Sequence, residues 1–415
     1  MITLQDIQAA RERLAGRIIE TPVVYSQTLS RLSGLEVYLK LENLQTTGSF
    51  KLRGSLNKLQ LLTAAAKTGG VVAASAGNHA QGVAYAATLA GRSATIVMPQ
   101  WASLSKQLAT EGYGGTVLRH GQTLAEALAK ARELAQTGLI FIHPFDDPQI
   151  IAGQGTLGLE LLDALPQVEA VLVPVGGGGL AGGVAAALKE INPKIKVFGV
   201  QTQAVPAAQA ALAAGRPVAV PGGATLADGI NVTCVGEHTF PLLQHYLDGL
   251  FLVSEDQVAD AVLLLLERKK VLSEGAGAVP VAALLHQMAE RKPGRRVALI
   301  ISGGNMDIPL LERVVQRGLL HSGRLLSLNI VLPDCPGALG RLTTLLGQAG
   351  ANILHLAHDR LGLDLPLQET RVRIELETLG PEHCREISAA LEQAGYRWQA
   401  GLTTAPIPEN RSPRP

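Results

Sequence analysis

Four short stretches of this chain carry groups that could do chemistry. In "NLQTTGSFKLRGSLNKLQ" (43–60), Lys51 follows Gly48-Ser49-Phe50 at the point where a helix is about to begin. A lysine held in a tight turn can be desolvated and used as a nucleophile or base, whereas an ordinary lysine points into water. Four consecutive glycines, Gly176, Gly177, Gly178 and Gly179, follow "AVLVPV" and precede "LAGGVAAALKE". Glycines at a strand-to-helix junction let several backbone N–H groups close on an anion, and the helix start adds partial positive charge. The spacing is neither a P-loop nor a dinucleotide fingerprint; the plain alternative is a flexible turn. "SAGNHAQG" (75–82) also sits at a strand end and opens a helix. Its N–H groups, with the Ser75 and Asn78 side chains, suit a carboxylate or a cofactor oxygen, or Asn78 simply caps the helix. "SGGN" (302–305) ends another apolar run, where Ser302 either presents its hydroxyl to a crevice or belongs to an ordinary turn.

Taken jointly, these parts have one economical explanation. Pyridoxal phosphate needs an amine for its aldehyde, a cup for its phosphate and a partner for its ring nitrogen.

Such groups need elements to aim them. Short β-branched runs read as strands: "VVAAS" from Val71, "ATIVMP" from Ala94, "TVLRH" from Thr116, "LIFIHPF" from Leu139, "AVLVPVG" from Ala170, "KVFGVQ" from Lys196, "LFLVS" from Leu250 and "VALIISGG" from Val297. Helical patterns such as "HAQGVAYAATLAG", "LAEALAKARELAQ" and "DQVADAVLLLLERKK" lie between them. This alternation predicts an α/β body with parallel sheets and helical crossovers, and ligands at the carboxyl ends of the strands. After Arg324 the pattern changes. A strand "LLSLNIVLPD", a helix over 336–349 with Pro336 at its start, strands "NILHLAHDR" and "TRVRIELET" around a loop with Gly362 and Pro366, a helix over 382–394 and a short last strand make a ferredoxin-like βαββαβ unit. The tail "APIPENRSPRP", Pro-rich and charged, reads as disordered.

Composition excludes several function classes. A length of 415 residues predicts two or three domains, and 47% apolar with 17% charged residues suits a soluble protein with a large core. A net charge of +1 without a basic run argues against nucleic acid or an anionic membrane as partner. Three scattered cysteines fit neither a disulfide framework nor a zinc site. The N-terminus lacks a secretory apolar core, and the uncharged stretch Ala170–Leu188 is broken by Pro174 and six glycines, against a membrane span. The expectation is a cytoplasmic protein.

The stretches "LENLQTTGSFKLRGS", "SAGNHAQGVAYAA", "PVGGGGLAGG", "TLADGI", "SEGAGA" and "SGGN" resemble, in order, the fold-type II pyridoxal-phosphate enzymes, and within them the serine/threonine dehydratases that include threonine ammonia-lyase. The resemblance runs from about Ile7 to Leu320, and "NIVLPDCPGALGRLTTLLGQAGANILHLAHDR" is similar to an ACT domain, an amino-acid-sensing module. It implies a two-lobed, tryptophan synthase β-like catalytic domain over 1–320, with a mobile small lobe over about 50–150, then an ACT domain over 325–402 and a tail over 403–415. The implied chemistry is dehydration and deamination of L-threonine to 2-oxobutanoate and ammonia, with L-serine to pyruvate as a secondary activity. By the same resemblance, Lys51 carries the cofactor as a Schiff base and takes the Cα proton. Phe50 packs on the cofactor ring, Asn78 bonds its 3′-oxygen, and Gly176, Gly177, Gly178, Gly179 and Leu180 hold the phosphate. Ser302 meets the ring nitrogen, while Ser75, Ala76, Gly77, Asn78 and His79 grip the substrate carboxylate. Glu274 lies in one of the motifs without an assigned role.

Departures from the resemblance carry information too. Related racemases have a second serine in "SSGNH" as the acid opposite the lysine, where this chain has Ala76. They also bind a cation near an acidic stretch whose counterpart here, "QTQAVPA", places Gln201, Val205 and Ala207 at the ligand positions, so no metal is expected. The ACT resemblance implies an amino-acid effector near Asp334, Pro336, Gly337, Leu339 and Asn352, and a homo-oligomer, dimer or tetramer. Two readings compete: a serine racemase or β-replacement synthase of the same fold, or a catalytically idle amino-acid sensor.

Overall fold

A computed structural model describes residues 1–62, 69–288, 294–360 and 365–401. The chain divides into two compact units, Met1–Asp307 and Ile308–Pro415. The helix Ile308–His321, placed in the first domain on sequence grounds, belongs to the second unit by its contacts. Gly362 and the tail expected to be disordered lie outside the described residues.

In the first unit the strands are β1 (Val23–Tyr25), β2 (Glu36–Leu41), β3 (Val71–Ala74), β4 (Ala94–Met98), β5 (Gly115–Arg119), β6 (Ile140–Phe141), β7 (Ala170–Pro174), β8 (Lys196–Thr202), β9 (Gly249–Val253) and β10 (Arg296–Ile301). They form two sheets. The larger has the order β1-β2-β10-β7-β8-β9, parallel except for the antiparallel edge pair β1–β2; the smaller, β5-β4-β3-β6, is parallel throughout. β3 and β7 are buried at every residue, which is why they read as unbroken apolar runs rather than as alternating strands. Each sheet has its own apolar core. Val171, Val173, Val184 and Ile300 belong to the larger one, and Val71, Ile96, Val83 and Leu52 to the smaller. The stretch Ala170–Leu188 is β7, the glycine turn and a helix, and no described helix is long and apolar enough to cross a membrane.

Two features of this unit were not legible as elements. β2 was unexpected because "EVYLKL" has charges in it, and its Lys40 is only 1% exposed. That lysine is paired inside the core, its Nζ 2.6 Å from Glu160 and 2.7 Å from the Thr21 carbonyl. The helix Pro148–Ala164 crosses helix Lys51–Gln60 so closely that a side chain on Gly153 would come within 2.7 Å of the Gly54 Cα. Only glycine on both helices permits that approach.

The second unit contains β11 (Leu325–Pro333), β12 (Asn352–Asp359), β13 (Glu369–Glu377) and β14 (Arg397–Ala400), in the antiparallel order β12-β13-β11-β14. Helices Ala338–Gln348 and Pro381–Gln393 complete the βαββαβ order. Pro336 stands outside its helix: Gly337, at φ +82°, turns the chain first, so the helix opens at Ala338. Pro381, by contrast, is the first residue of its helix, where its missing N–H costs nothing.

Candidate active site

Lys51 and Ser302 are placed by one junction between distant loops. The Phe50 N–H donates to the Ser302 carbonyl at 3.1 Å, the Gly304 N–H donates to the Gly48 carbonyl at 2.9 Å, and Ser49 bridges Gly303. Gly48 sits at φ +71°, and a side chain there would run into Asn305. Lys51 then opens its helix with its Nζ donating to the Pro144 carbonyl at 2.7 Å, and 5.3 Å from the Phe50 ring centre. Phe50 is half-buried against the core of the larger sheet. Lys51 keeps some exposed area, yet protein surrounds its amine closely enough that desolvation pulls the pKa down to about 8, against an opposing pull from Glu274. This lysine is not a solvated surface group.

The glycine turn lies one residue from the Lys51 acceptor. A side chain on Gly177 would meet the Phe145 ring at 2.4 Å, and one on Gly179 would meet the Phe145 carbonyl at 2.9 Å. None of the N–H groups of Gly176, Gly177, Gly178, Gly179 and Leu180 has an acceptor among the described residues. Five such donors in sequence, at the start of the helix Gly179–Ile191, form a cradle of the size and sign a phosphate requires. Gly178 makes the turn at φ +98°, and Thr239 braces it from behind by donating to the Gly177 carbonyl at 2.6 Å.

The third loop serves a different end of the site. Gly77, not Asn78, precedes the helix Asn78–Leu89, and the Asn78 side chain caps nothing. Its Nδ2 donates to Glu274 at 2.8 and 3.0 Å, and its Oδ1 accepts from Asn305 at 2.8 Å. Ser75 Oγ accepts from the Gly77 N–H at 3.2 Å. The N–H groups of Ala76, Asn78 and His79 have no acceptor among the described residues and so form a second anion-sized nest. The His79 ring is committed elsewhere, with Nε2 donating to the Ile142 carbonyl at 3.0 Å. Burial, with Lys51 nearby, lowers its pKa to about 3, so the ring is neutral, and only the backbone N–H is left without a partner among the described residues. Ser302 is 2% exposed, and its hydroxyl has no hydrogen-bond partner among the described residues, as a group reserved for a ring nitrogen would be. An amine, two N–H nests and a free hydroxyl thus meet in one place, and the set fits pyridoxal phosphate.

Sequence reasoning missed the supporting groups. Pro144 and Phe145, which receive Lys51 and back the cradle, belong to "LIFIHPF", a stretch whose pattern shows only a strand end. Gln201, which stands where related racemases have a cation ligand, caps the helix Ala207–Ala214 by accepting from the Ala208 and Gln209 N–H groups. No group of three or more His, Cys, Asp or Glu among the described residues is arranged to hold a metal ion.

The residues grouped as an effector site lie in the second unit, and one chain does not assemble them all. Asp334, Pro336 and Gly337 share the loop after β11, with Leu339 in the first turn of the helix that follows, and Asp334 accepts from Arg360 at 2.7 and 2.8 Å. Asn352 pairs with Glu377 while Pro333 pairs with Glu369 at the other end of β13, a separation of roughly 25 Å at the usual rise per strand residue. The sequence signal, two turns flanking one helix, could not show that they sit at opposite ends of it.

Comparison with known proteins agrees with this geometry. The chain is 47% identical over 397 residues to the L-threonine ammonia-lyase of Thermotoga maritima, covering 95% of this chain and 98% of that one. The crystal structure of the T.th. threonine deaminase superposes with a TM-score of 0.70 at 43% identity, covering 74% of this chain and 99% of that one. The serine racemase of Dictyostelium discoideum gives a TM-score of 0.70 at 39% identity over the same shares. The profile of the pyridoxal-phosphate dependent enzymes matches residues 14–303, and the chain belongs to that family.

Proposed function

We propose that this chain converts L-threonine to 2-oxobutanoate and ammonia, and L-serine to pyruvate as a secondary activity. The observation that carries the reading is Lys51, a desolvated amine between a phosphate cradle and a carboxylate-sized nest. The likeness to a threonine ammonia-lyase along nearly the whole chain supplies the substrate.

When bound, pyridoxal phosphate withdraws electrons from an attached amino acid, which acidifies its Cα–H and favours loss of a β-hydroxyl. The chain's own groups do the rest. Gly176, Gly177, Gly178, Gly179 and Leu180 hold the phosphate through their N–H groups, and Phe50 flanks the ring. The Ser75–His79 loop binds the substrate carboxylate and so orients Cα. Lys51 Nζ, free as an amine, removes the Cα proton. Ser302 meets the ring nitrogen with a hydroxyl, a far weaker acid than a carboxylic acid, which suits prompt elimination over transamination. The racemase reading has support from the likeness to serine racemase. It requires an acid opposite Lys51, however, and Ala76 offers none. Domain limits follow the two units, with the second proposed as an amino-acid-sensing ACT domain whose effector meets the Asp334–Leu339 loop. A cytoplasmic homo-oligomer completes the proposal.

Incubating the purified protein with L-threonine and measuring 2-oxobutanoate tests the reading. Release of 2-oxobutanoate without D-amino acid supports it; D-serine formation from L-serine without oxo acid would replace it with the racemase.

Two further results are expected. Gly178→Ala forces alanine to φ +98° and brings its Cβ within 2.8 Å of Thr239. At about 1–2 kcal/mol for the backbone alone, cofactor affinity should fall roughly tenfold, read by absorbance titration. The second concerns pH. With its pKa lowered to about 8, Lys51 is neutral in about 10% of molecules at pH 7. Cofactor capture by the apo protein should therefore speed up about fivefold from pH 7 to 8 and level off above about 9. A rate still climbing at pH 10 would mean an unperturbed lysine.

A further inference from the structure

Glu274 has no part in the reading above, yet the site is built around it. The residue is 4% exposed, just before the helix Gly275–His286. Both oxygens accept from a single atom, Asn78 Nδ2, at 2.8 and 3.0 Å, and no other described group donates to the carboxyl. Glycines make room for it: a side chain on Gly303 would come within 2.6 Å of Oε1, and one on Gly229 within 3.2 Å. On the far side of the same amide, Asn305 Nδ2 donates to Asn78 Oδ1 at 2.8 Å and to the Thr47 carbonyl at 2.7 Å. Asn305 Nδ2, which can only donate, holds the amide oxygen on its side and so turns Asn78 Nδ2 toward the carboxyl. The two oxygens of one carboxyl also subtend a far smaller angle at Nδ2 than separates the two amide hydrogens. Glu274 therefore engages one hydrogen and leaves the other without an acceptor.

We infer that Glu274 is a positioning residue of the active site: it takes one amide hydrogen of Asn78 and leaves the other fixed for the cofactor's ring oxygen. The inference rests on the pyridoxal-phosphate reading of the site. Charge supports it. Burial, and then Asp228, push the Glu274 carboxyl up to about 8, against Asn78, Lys106 and Lys51. A carboxyl protonated at neutral pH still accepts from the amide, and it places no full negative charge beside an oxygen that is itself electron-rich.

The test is a double-mutant cycle on cofactor binding, read as the dissociation constant and the position of the bound absorbance band rather than as turnover. Glu274→Ala should weaken binding about tenfold, the size of one well-formed hydrogen bond, and shift the band. Asn78→Ala should do the same, and the double variant should be no worse than Asn78→Ala. Glu274→Gln, which keeps an acceptor in the same volume, should stay within about threefold of the parent. Far-UV circular dichroism checks folding, and Glu274→Met, of similar length without an acceptor, replaces the alanine variant if that one unfolds. Losses that add in the double variant, an unchanged constant and band in Glu274→Ala, or a Gln variant as impaired as the Ala variant would each overturn the inference. A parent protein that takes up no cofactor would overturn the functional reading and this inference with it. Normal uptake with L-threonine untouched would overturn only the substrate, leaving the role of Glu274 to the cycle.

Discussion

Lys51→Ala is expected to lower 2-oxobutanoate release from L-threonine by about 10³-fold or more, since it removes both the attachment point and the base. The loss should be chemical rather than structural. Among the described residues the Lys51 Nζ makes one hydrogen bond, to the Pro144 carbonyl, while the turn that carries it is fixed by the backbone of Phe50, Gly48 and Ser49. The variant should therefore keep its circular dichroism spectrum and still bind cofactor through the Gly176–Leu180 cradle. Borohydride, which locks cofactor onto the parent, should leave it removable by dialysis from the variant. A small primary amine added to the assay should recover part of the rate, a rescue that a misfolded protein would not show. Turnover retained within tenfold of the parent would remove Lys51 from the mechanism.

The second large effect is on stability. Four charged side chains lie within the first unit with almost no exposure: Lys40, Glu42, Arg53 and Glu160. Arg53 bonds Glu42 at 2.8 Å and Glu160 at 2.5 Å, Lys40 reaches Glu160 at 2.6 Å, and Thr21 donates to Glu42. Two cations balance two anions, so the group is neutral as a whole. Arg53→Met leaves three of the four and an uncompensated buried carboxylate, a change that costs about 3–5 kcal/mol. It should appear as a lower urea midpoint, and replacing Glu42 by Gln in the same chain should recover part of the loss, because the orphaned charge goes with it. The pH dependence follows in sign. Burial alone would push the Glu42 carboxyl up, but Arg53, with Lys40 and Thr21, more than offsets it and holds the pKa below the usual range. The stabilisation is thus fully present above the unfolded carboxylate range and is lost as pH falls through the depressed folded value. In Arg53→Met the shift reverses, and stability should improve when mild acid protonates Glu42. An unchanged urea midpoint would mean the quartet contributes nothing.

Both predictions concern one short helix, and they differ in how much of their basis the sequence carried. Lys51, the four glycines, the Ser75–His79 loop and Ser302 were legible because each depends on local rules. A glycine run at a strand-to-helix junction can turn several N–H groups toward an anion, and a parallel strand buried on both faces reads as an apolar run. β2 was not legible, since a strand with Glu36 and Lys40 in it contradicts that pattern until Glu160 is known to neutralise Lys40. Asn78 was open between a helix cap and a ligand residue, and local sequence favours neither. The effector grouping shows the same limit in reverse: Asp334 and Asn352 are near in sequence, and within one chain a nine-residue strand holds them apart.

What the sequence determined alone, then, was the set of chemical parts and the alternating α/β frame, because hydrophobic period, glycine content and turn chemistry act over a few residues. Tertiary structure decided which way the parts face. Lys51 and its carbonyl acceptor are 93 residues apart, and Asn78 and Glu274 are 196 apart. A desolvated amine or a one-way amide exists only when such partners are brought together and water is excluded from between them. Short-range pattern carries no record of that meeting; packing of the two sheets creates it.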